Sequence, residues 1–452
     1  MDTTNHVGLR EFAASAWSKH SSKTFLKDTM PALEQFASSF PDIPPSVMLK
    51  VDLLRHGVRL GLAPVGSRHY HHHDEQGQKP VDPRAHLEGS VILPDGTTVF
   101  VTHNANSPYT VVIDPESRHL SLKEGESGEF ICELTPGPRF SWTKERTARQ
   151  TPMAAVFSPS LGGVCGPIAA FLLRYCEFVK ENEECRFCSW VRMGKSHELR
   201  PDVGDLRESL AAIWKEQQAI GYLAFSGGSL LNRTKEADAF LKYMDAVRET
   251  GLPLPATVAA IQALDKPDSK RLREAGFDYA CYSMEVWDEA AWQAVLPGKS
   301  RSVGRAGWMQ CLSDAVEVFG SGKVLCNFVA GVETVVPGLY SSPEAAAEAT
   351  LKGMRWCYEN GIYPKYAVWV APGGAVFSQR EPAPLAYYAH FLKGRQELFA
   401  EFPMAIPATD CPHCLTQSCE ADLARLDRRY SLGPATASAW KGRHATAHVA
   451  AQ

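Results

Sequence analysis

The sequence predicts an α/β protein built on a parallel sheet, and three observations support this fold class. From about residue 151, short runs rich in β-branched and aromatic residues alternate with stretches in which apolar residues recur at helical spacing. Several of the short runs end in Gly, Ser or Glu. Alternation of this kind produces parallel strands joined by helical crossovers, with the sheet either curled into a barrel or left open.

Six runs supply the predicted strands. They are Met153–Ser158, Tyr222–Ser226, Ala256–Ile261, Tyr279–Met284, Val324–Ala330 and Tyr366–Val370. The stretches predicted as helices are Asp205–Gly221, Lys235–Thr250, Lys266–Ala275, Val303–Phe319 and Pro343–Asn360. Because barrels place their chemistry at the carboxyl ends of the strands, polar residues that follow these runs are the candidates for a functional site.

Residues 1–150 are predicted to form an N-terminal α+β accessory region. Helical spacing runs through Met30–Phe40 and Met48–Leu62, and an Asp-Gly pair between the two apolar runs of Val91–Thr102 predicts a hairpin. The further short strands expected here are Tyr109–Ile113 and Phe130–Leu134.

The regular α/β pattern spans 151–380, and a cysteine-bearing C-terminal extension follows it over 381–432. One helix is expected in the extension, at about Leu385–Phe402. Residues 433–452 are rich in Ala, Ser, Thr and Gly, and we expect a disordered tail there.

Composition narrows the functional classes. Among the 452 residues, 44% are hydrophobic and 22% charged, which is typical of a globular protein, and the net charge of −4 argues against a nucleic-acid binder. No run of about 18 apolar residues predicts a membrane span, and the N-terminus lacks the pattern of a secretory signal. We therefore expect a cytoplasmic protein, in which twelve reduced cysteines indicate metal binding or catalysis.

Three cysteines are close together in the connection after the first predicted strand: Cys176, Cys185 and Cys188, spaced C-x8-C-x2-C. A C-x2-C pair is typical of zinc or iron–sulfur ligation. Three thiolates on a [4Fe–4S] cluster leave one iron open, whereas a structural zinc would recruit a fourth ligand. Cys165 is an alternative first ligand, but Cys176 is nearer to the other two and is favoured.

This loop, with the aromatic Phe187 before its last cysteine, resembles that of the radical S-adenosylmethionine (SAM) superfamily over roughly 151–380. The commonest pattern in that family is C-x3-C-x2-C, so the eight-residue gap is a departure. The resemblance implies a partial (βα)6 TIM-type barrel and a [4Fe–4S] cluster on Cys176, Cys185 and Cys188. It also implies that SAM chelates the open iron. An electron from a reductase such as flavodoxin or ferredoxin then yields a 5′-deoxyadenosyl radical, which abstracts hydrogen from substrate.

Two strand ends extend the resemblance. Ser226, Gly227 and Gly228 match the family's glycine motif, although Ser229 stands where the family usually has an acid. The resemblance implies that this segment cradles the methionine amino group and that Phe187 packs near adenine. After the fourth strand, Ser283 and Glu285 match positions that contact ribose or methionine.

Three other features lie near these strand ends. Cys281 is a candidate hydrogen-atom donor to a substrate radical, with a buried core thiol as the alternative. Asn327 to Glu333 resembles the family's fifth-strand motif. Lys299, in a Pro-Gly-Lys turn, could bind an anionic group, although a helix-ending turn explains the sequence equally well.

A second group, Cys411, Cys414 and Cys419, has the spacing C-x2-C-x4-C. The alternatives are an auxiliary iron–sulfur cluster, a structural zinc that also uses His413, and no metal. The fourth ligand is not identified, and Cys357 is one candidate.

The sequence thus predicts a radical SAM enzyme that modifies a small molecule or a short peptide. The alternatives are a peptide- or protein-modifying enzyme that uses residues 1–150 for recognition, and a non-catalytic metal-binding or assembly protein. Substrate, bond type and oligomeric state are outside what the sequence determines, because one fold supports many reactions.

Overall fold

The structure is a computed structural model that describes residues 31–60, 90–113, 120–125, 128–137, 140–159, 168–188, 200–217, 221–253, 256–371, 374–407, 409–410 and 417–426. The described strands are β1 (Arg59–Leu60), β2 (Ser90–Ile92), β3 (Thr98–Phe100), β4 (Tyr109–Ile113), β5 (Leu120–Glu124), β6 (Glu129–Pro136), β7 (Phe157–Pro159), β8 (Ile168–Leu173), β9 (Leu223–Gly227), β10 (Thr257–Ala260), β11 (Tyr279–Cys281), β12 (Val324–Ala330) and β13 (Tyr363–Val368).

The described α-helices are α1 (Pro31–Ser39), α2 (Pro45–His56), α3 (Met153–Val156), α4 (Val203–Gln217), α5 (Arg233–Arg248), α6 (Lys266–Ala275), α7 (Glu289–Val295), α8 (Pro297–Ser302), α9 (Arg305–Phe319), α10 (Pro343–Glu359), α11 (Leu385–Glu401) and α12 (Glu420–Leu426). None of these helices has the length and apolar character needed to span a membrane.

The larger sheet has the order β13-β12-β11-β10-β9-β8-β7. Strands β8 to β13 are parallel and follow one another in sequence, with helices in the connections. In the described residues β13 and β8 do not pair, so the sheet is a partial (βα)6 barrel. The predicted α/β fold class is therefore confirmed.

The first predicted strand is wrong. Met153–Val156 forms the short helix α3, and Phe157–Pro159 forms β7, which pairs antiparallel with β8. The first parallel strand is instead Ile168–Leu173, a continuous apolar run that contains two alanines. Such a run lacks strand-like alternation and is equally consistent with a buried helix, which explains why the pattern did not identify it.

Burial alternates along the strands of the barrel. In β9, Leu223 and Phe225 are buried, whereas Ala224 and Ser226 are half-exposed. In β13, Lys365 and Ala367 are half-exposed between buried neighbours. One face of the sheet thus lies in the core, and small and polar side chains line the more open face.

The N-terminal sheet has the order β1-β4-β5-β6-β2-β3. The predicted hairpin is confirmed, because β2 and β3 pair antiparallel with Val91 opposite Val99. Its turn contains Gly96 at φ 89°, a conformation that glycine adopts without steric cost. The Asp95 carboxylate accepts a hydrogen bond from Thr97 N at 2.9 Å, which closes the turn.

Helix α2 connects the N-terminal region to the C-terminal segments. Lys50 Nζ lies 2.7 Å from Asp422 Oδ2 in α12, and both side chains are buried. Arg55 Nε donates to Ala383 O at 2.6 Å. These contacts hold residues from both ends of the described chain against the barrel. The predicted boundaries near residues 150 and 380 remain predictions.

The edge strand β13 also carries part of the C-terminal extension. Val368 N donates to Gln417 O at 2.9 Å, and Cys419 N donates to the Tyr366 hydroxyl at 2.8 Å. Residues 417–419 therefore run beside the last strand of the barrel.

Candidate functional site

The cysteine loop begins three residues after β8 ends. Cys176 precedes a 3₁₀ turn, Glu177–Glu181, and the chain reverses at Asn182, whose φ is 55°. Phe178 is buried below the turn, and Cys188 N donates to Cys185 O at 2.9 Å. The loop is therefore a compact turn anchored by one aromatic side chain rather than an extended linker.

The start of α8 supports this loop from below. Gly298 N donates to Glu183 O at 3.0 Å, and Arg186 N donates to Val295 O at 2.8 Å. A Cβ at Gly298 would lie 2.5 Å from the Phe178 ring and 2.6 Å from Glu183 O. Only glycine lets the helix approach the loop this closely.

The two strand-end glycines of β9 pack against the beginning of the same loop. A Cβ at Gly227 would lie 2.7 Å from Leu173 N, and one at Gly228 would lie 2.8 Å from Cys176 Cβ. Ser229 O accepts from Glu177 N at 2.8 Å. The glycines thus serve the approach of the cysteine loop, a reason for Gly-Gly that the sequence alone did not indicate.

The three thiols are half-buried and lie within electrostatic reach of one another. Burial raises the pKa of Cys185, the Lys299 charge lowers it, and Cys188 and Cys176 raise it further. Burial also raises the pKa of Cys176. Among the described residues, no three His, Cys, Asp or Glu side chains converge as a preformed metal site. The donor set of three thiols on one turn nevertheless fits a cluster with three thiolate ligands. Cys165 lies outside the described residues.

Glu285 follows the fourth parallel strand in a left-handed conformation, with φ 67°. Its backbone is fixed by β12, because Glu285 N donates to Asn327 O at 2.9 Å and Val329 N donates to Glu285 O at 2.8 Å. Positive φ is uncommon for glutamate and is concentrated at functional sites. Here it accompanies a carboxylate that lies beside Lys299.

Lys299 joins the fourth strand end to the cysteine loop. Its Nζ lies 3.0 Å from Glu285 Oε1, 3.3 Å from Ser283 O and 4.6 Å from the centre of the Trp308 ring. Burial by itself lowers the pKa of this lysine, but the charges of Glu285 and Cys185 outweigh it, so the pKa is raised. Lys299 therefore stays protonated inside the site.

Glu236 is a site residue that the sequence did not indicate. It is 1% exposed, and its carboxylate accepts hydrogen bonds from Leu230 N, at 2.6 Å, and from the Gln262 side-chain amide. Burial raises its pKa to about 7, although these hydrogen bonds lower it. A glutamate at the start of a helix ordinarily indicates a solvated first turn, which is why sequence reasoning passes over it.

The open face of the barrel carries Cys281 and Lys365. Cys281 Sγ lies 3.7 Å from Ser283 Oγ, and burial raises the pKa of this thiol to about 11. Lys365 forms an ion pair with Asp410, and its Nζ lies 3.2 Å from Thr409 Oγ1. The face thus presents a protonated thiol and a charged pair beside Ser283.

Phe187 and Glu333, which both belong to segments that resemble family motifs, lie in different parts of the fold. Phe187 is half-buried on the cysteine loop and packs against the core. Glu333 is buried instead between helices, where it accepts from Thr350 Oγ1 at 2.5 Å and from the Tyr387 hydroxyl at 2.6 Å. It therefore anchors α10 and α11.

Of the second cysteine group, the structure describes Cys419 alone, since Cys411, His413 and Cys414 lie outside the described residues. Cys419 is fully buried, and burial raises its thiol pKa to about 12. Cys357, the candidate fourth ligand, is also buried and forms a side-chain hydrogen bond with Cys326 of β12.

No family model matches the chain. It is 23% identical over 281 residues to the bacteriochlorophyllide c C-7(1)-hydroxylase of Chlorobaculum limnaeum, across 58% of this chain. The chain spans 65% of the length of that relative.

Solved structures with a similar fold include methylornithine synthase, at 16% identity and TM-score 0.37, over 51% of this chain and 61% of the other. A radical SAM methyltransferase from Sphaerobacter thermophilus has 12% identity and TM-score 0.34, over 58% of this chain and 67% of the other. The proteins to which the chain is similar include a radical SAM enzyme.

Proposed function

We propose that the chain is a radical SAM enzyme that modifies a small organic molecule or a short peptide. One observation carries the proposal: three cysteines share a turn at the carboxyl end of the first parallel strand. That turn packs on Gly227 and Gly228 and is supported by the segment that presents Lys299 to Glu285. Sites of α/β barrels are built at this end of the strands.

We assign the roles of the residues from the family resemblance, and their positions in the fold support the assignment. Cys176, Cys185 and Cys188 hold a [4Fe–4S] cluster, which supplies one-electron cleavage of SAM when both are bound. The main chain at Ser226, Gly227 and Gly228 accepts the methionine amino group, and Phe187 packs near adenine. Ser283 and Glu285 hold the ribose or methionine portion from the fourth strand.

The substrate occupies the open face of the barrel in this proposal, and Cys281, Ser283 and Lys365 are the residues expected to contact it. The similarity to a hydroxylase supports oxidation at a carbon of a small molecule as the first reaction to test. A reductase of the flavodoxin or ferredoxin type supplies the electron. Cys281, protonated and beside Ser283, is the candidate hydrogen donor.

The C-terminal extension holds an auxiliary iron–sulfur cluster on Cys411, Cys414 and Cys419 in this proposal, with zinc as the alternative. Described residues that flank this segment in sequence contact the barrel, since Asp410 pairs with Lys365 and Gln417 O accepts from Val368 N. Both anchors lie on β13.

The decisive experiment is SAM cleavage. Anaerobically reconstituted protein, given dithionite and SAM, is expected to release 5′-deoxyadenosine, measured by chromatography and mass spectrometry. Cys185→Ala should abolish release, because two thiolates do not retain the cluster. Cys132→Ala, a buried thiol of β6, should leave it intact. Wild-type protein with a full [4Fe–4S] spectrum and no 5′-deoxyadenosine would contradict the proposal, as would full occupancy by zinc.

A further inference from the structure

One buried lysine, Lys299, lies on the helix that supports the cysteine loop. Lys299 is 8% exposed, although lysine is rarely buried without a specific partner. It follows Gly298, whose N–H donates to the cysteine loop at Glu183 O, so backbone contacts fix its distance from the loop. Its ammonium contacts Glu285, Ser283 O and the Trp308 ring.

Lys299 lies within electrostatic reach of the three thiols and of Glu236 as well as Glu285. The charges of Cys185 and Cys188 act on Lys299, and the Lys299 charge acts on Cys176 and Glu236. An exposed lysine could also form an ion pair with Glu285, so that ion pair alone does not explain why Lys299 is buried. The burial of this ammonium, on a helix whose start contacts the cysteine loop, is explained if it balances charge at the metal ligands.

We propose that Lys299 is a positioning residue that sets the charge of the cluster site and raises the reduction potential of the cluster. This inference rests on the proposed function, because it requires a cluster on Cys176, Cys185 and Cys188. It assigns to a residue of the α7–α8 segment a role in electron entry that is separate from binding SAM or substrate.

The direction of the effect follows from Coulomb's law. One-electron reduction takes [4Fe–4S]²⁺ to [4Fe–4S]⁺, so the reduced cluster carries one more negative charge than the oxidised cluster. A fixed cation in a low-dielectric site stabilises the reduced form more than the oxidised form. Removing the cation should therefore make reduction harder.

The test is an anaerobic redox titration with titanium(III) citrate, without SAM, followed by electron paramagnetic resonance. Lys299→Met should lower the equilibrium constant for reduction at least tenfold, a shift of about 59 mV to more negative potential for one electron. Lys299→Arg keeps the charge, so its equilibrium constant for reduction should stay within threefold of the wild-type value. The matched control is Lys180→Met, because Lys180 lies on the same loop but is 70% exposed.

The single variant leaves the half-buried Glu285 without Lys299, so Lys299→Met/Glu285→Gln is measured beside it. If Lys299→Met holds no cluster, a wild-type potential in Lys299→Arg and a lowered one in the double variant support the proposal. A wild-type potential in Lys299→Met, or a shift of equal size in Lys180→Met, overturns it. A change in SAM affinity alone, with the potential unchanged, also overturns it. A wild-type protein that holds no [4Fe–4S] cluster refutes the proposed function itself.

Discussion

Single charged side chains below the cysteine turn behave differently from charges at a surface. Lys299 keeps its proton in a buried position because Glu285 and the thiols surround it, whereas Glu236 tends to gain one because burial outweighs its hydrogen bonds. The two groups lie within electrostatic reach of each other, and Lys299 lowers the Glu236 pKa. Their protonation states are therefore set by the fold and not by solvent.

Glu236 should make stability depend on pH. Its folded-state pKa of about 7 lies above the unfolded value of 4.5, so the native state binds the extra proton. The contribution of Glu236 to stability should be fully present below pH 4.5 and should be lost as the pH rises through 7, a change of about 3 kcal/mol. Glu236→Gln cannot titrate and should flatten that part of the curve, measured by urea unfolding at each pH. Equal slopes in both proteins would contradict the assignment.

For single residues, the sequence indicated which residue types belong to the candidate site but not which side chains they contact. Cys176, Cys185 and Cys188 stand out by spacing, and Ser283 and Glu285 by their place after a strand. Lys299 was noted as an anion-binding candidate, yet its contact with Glu285 depends on how α8 packs. Glu236 gives no pattern, because burial of one helical residue is a tertiary property.

Among the elements, the turn that follows the first parallel strand explains how the long cysteine spacing is accommodated. The eight residues between Cys176 and Cys185 form a 3₁₀ turn and a reversal, so the extra length folds back on itself. Gly298 and Gly228 let α8 and β9 approach this turn. The five later strands were predicted from periodicity, and β8 was missed because an unbroken apolar run is equally consistent with a helix.

The C-terminal segment beside β13 leads to a metal-content prediction. Wild-type protein with two [4Fe–4S] clusters should contain about eight iron atoms per chain, and Cys411→Ala/Cys414→Ala about four. Iron, sulfide and zinc are measured together. Cys357→Ala should leave all three unchanged, because that buried thiol hydrogen-bonds with Cys326. Loss of zinc with constant iron would favour the zinc alternative, and no change in any metal would contradict both.

For the whole molecule, charged contacts connect segments far apart in sequence. The Lys50–Asp422 pair is buried, and Arg425 donates to Thr97 Oγ1 at 3.0 Å. Helix α12 thereby contacts both α2 and the β2–β3 turn. The sequence predicted two flanking regions but not their contact, since no local pattern relates residues more than 300 positions apart.

The buried ion pair between Lys50 and Asp422 should contribute to the free energy of unfolding. Lys50→Met leaves the buried Asp422 with Arg425 as its remaining ion-pair partner, at an expected cost of about 3 kcal/mol, and Lys50→Met/Asp422→Leu should recover most of it. Lys393→Met breaks the exposed pair with Asp42 and should cost less than about 1 kcal/mol. Urea unfolding followed by circular dichroism measures all three variants. Similar losses for Lys50→Met and Lys393→Met would show that the buried pair does not matter.

The hydrogen bond from Val368 to Gln417 has a further consequence for how the protein behaves in concentrated solution. The last strand of an open sheet offers unsatisfied amides and carbonyls to any neighbouring chain, which is a route to aggregation. Here the molecule's own C-terminal segment occupies part of that border. A chain shortened before residue 417 would expose it, so we expect such truncations to precipitate where the longer chain stays dispersed.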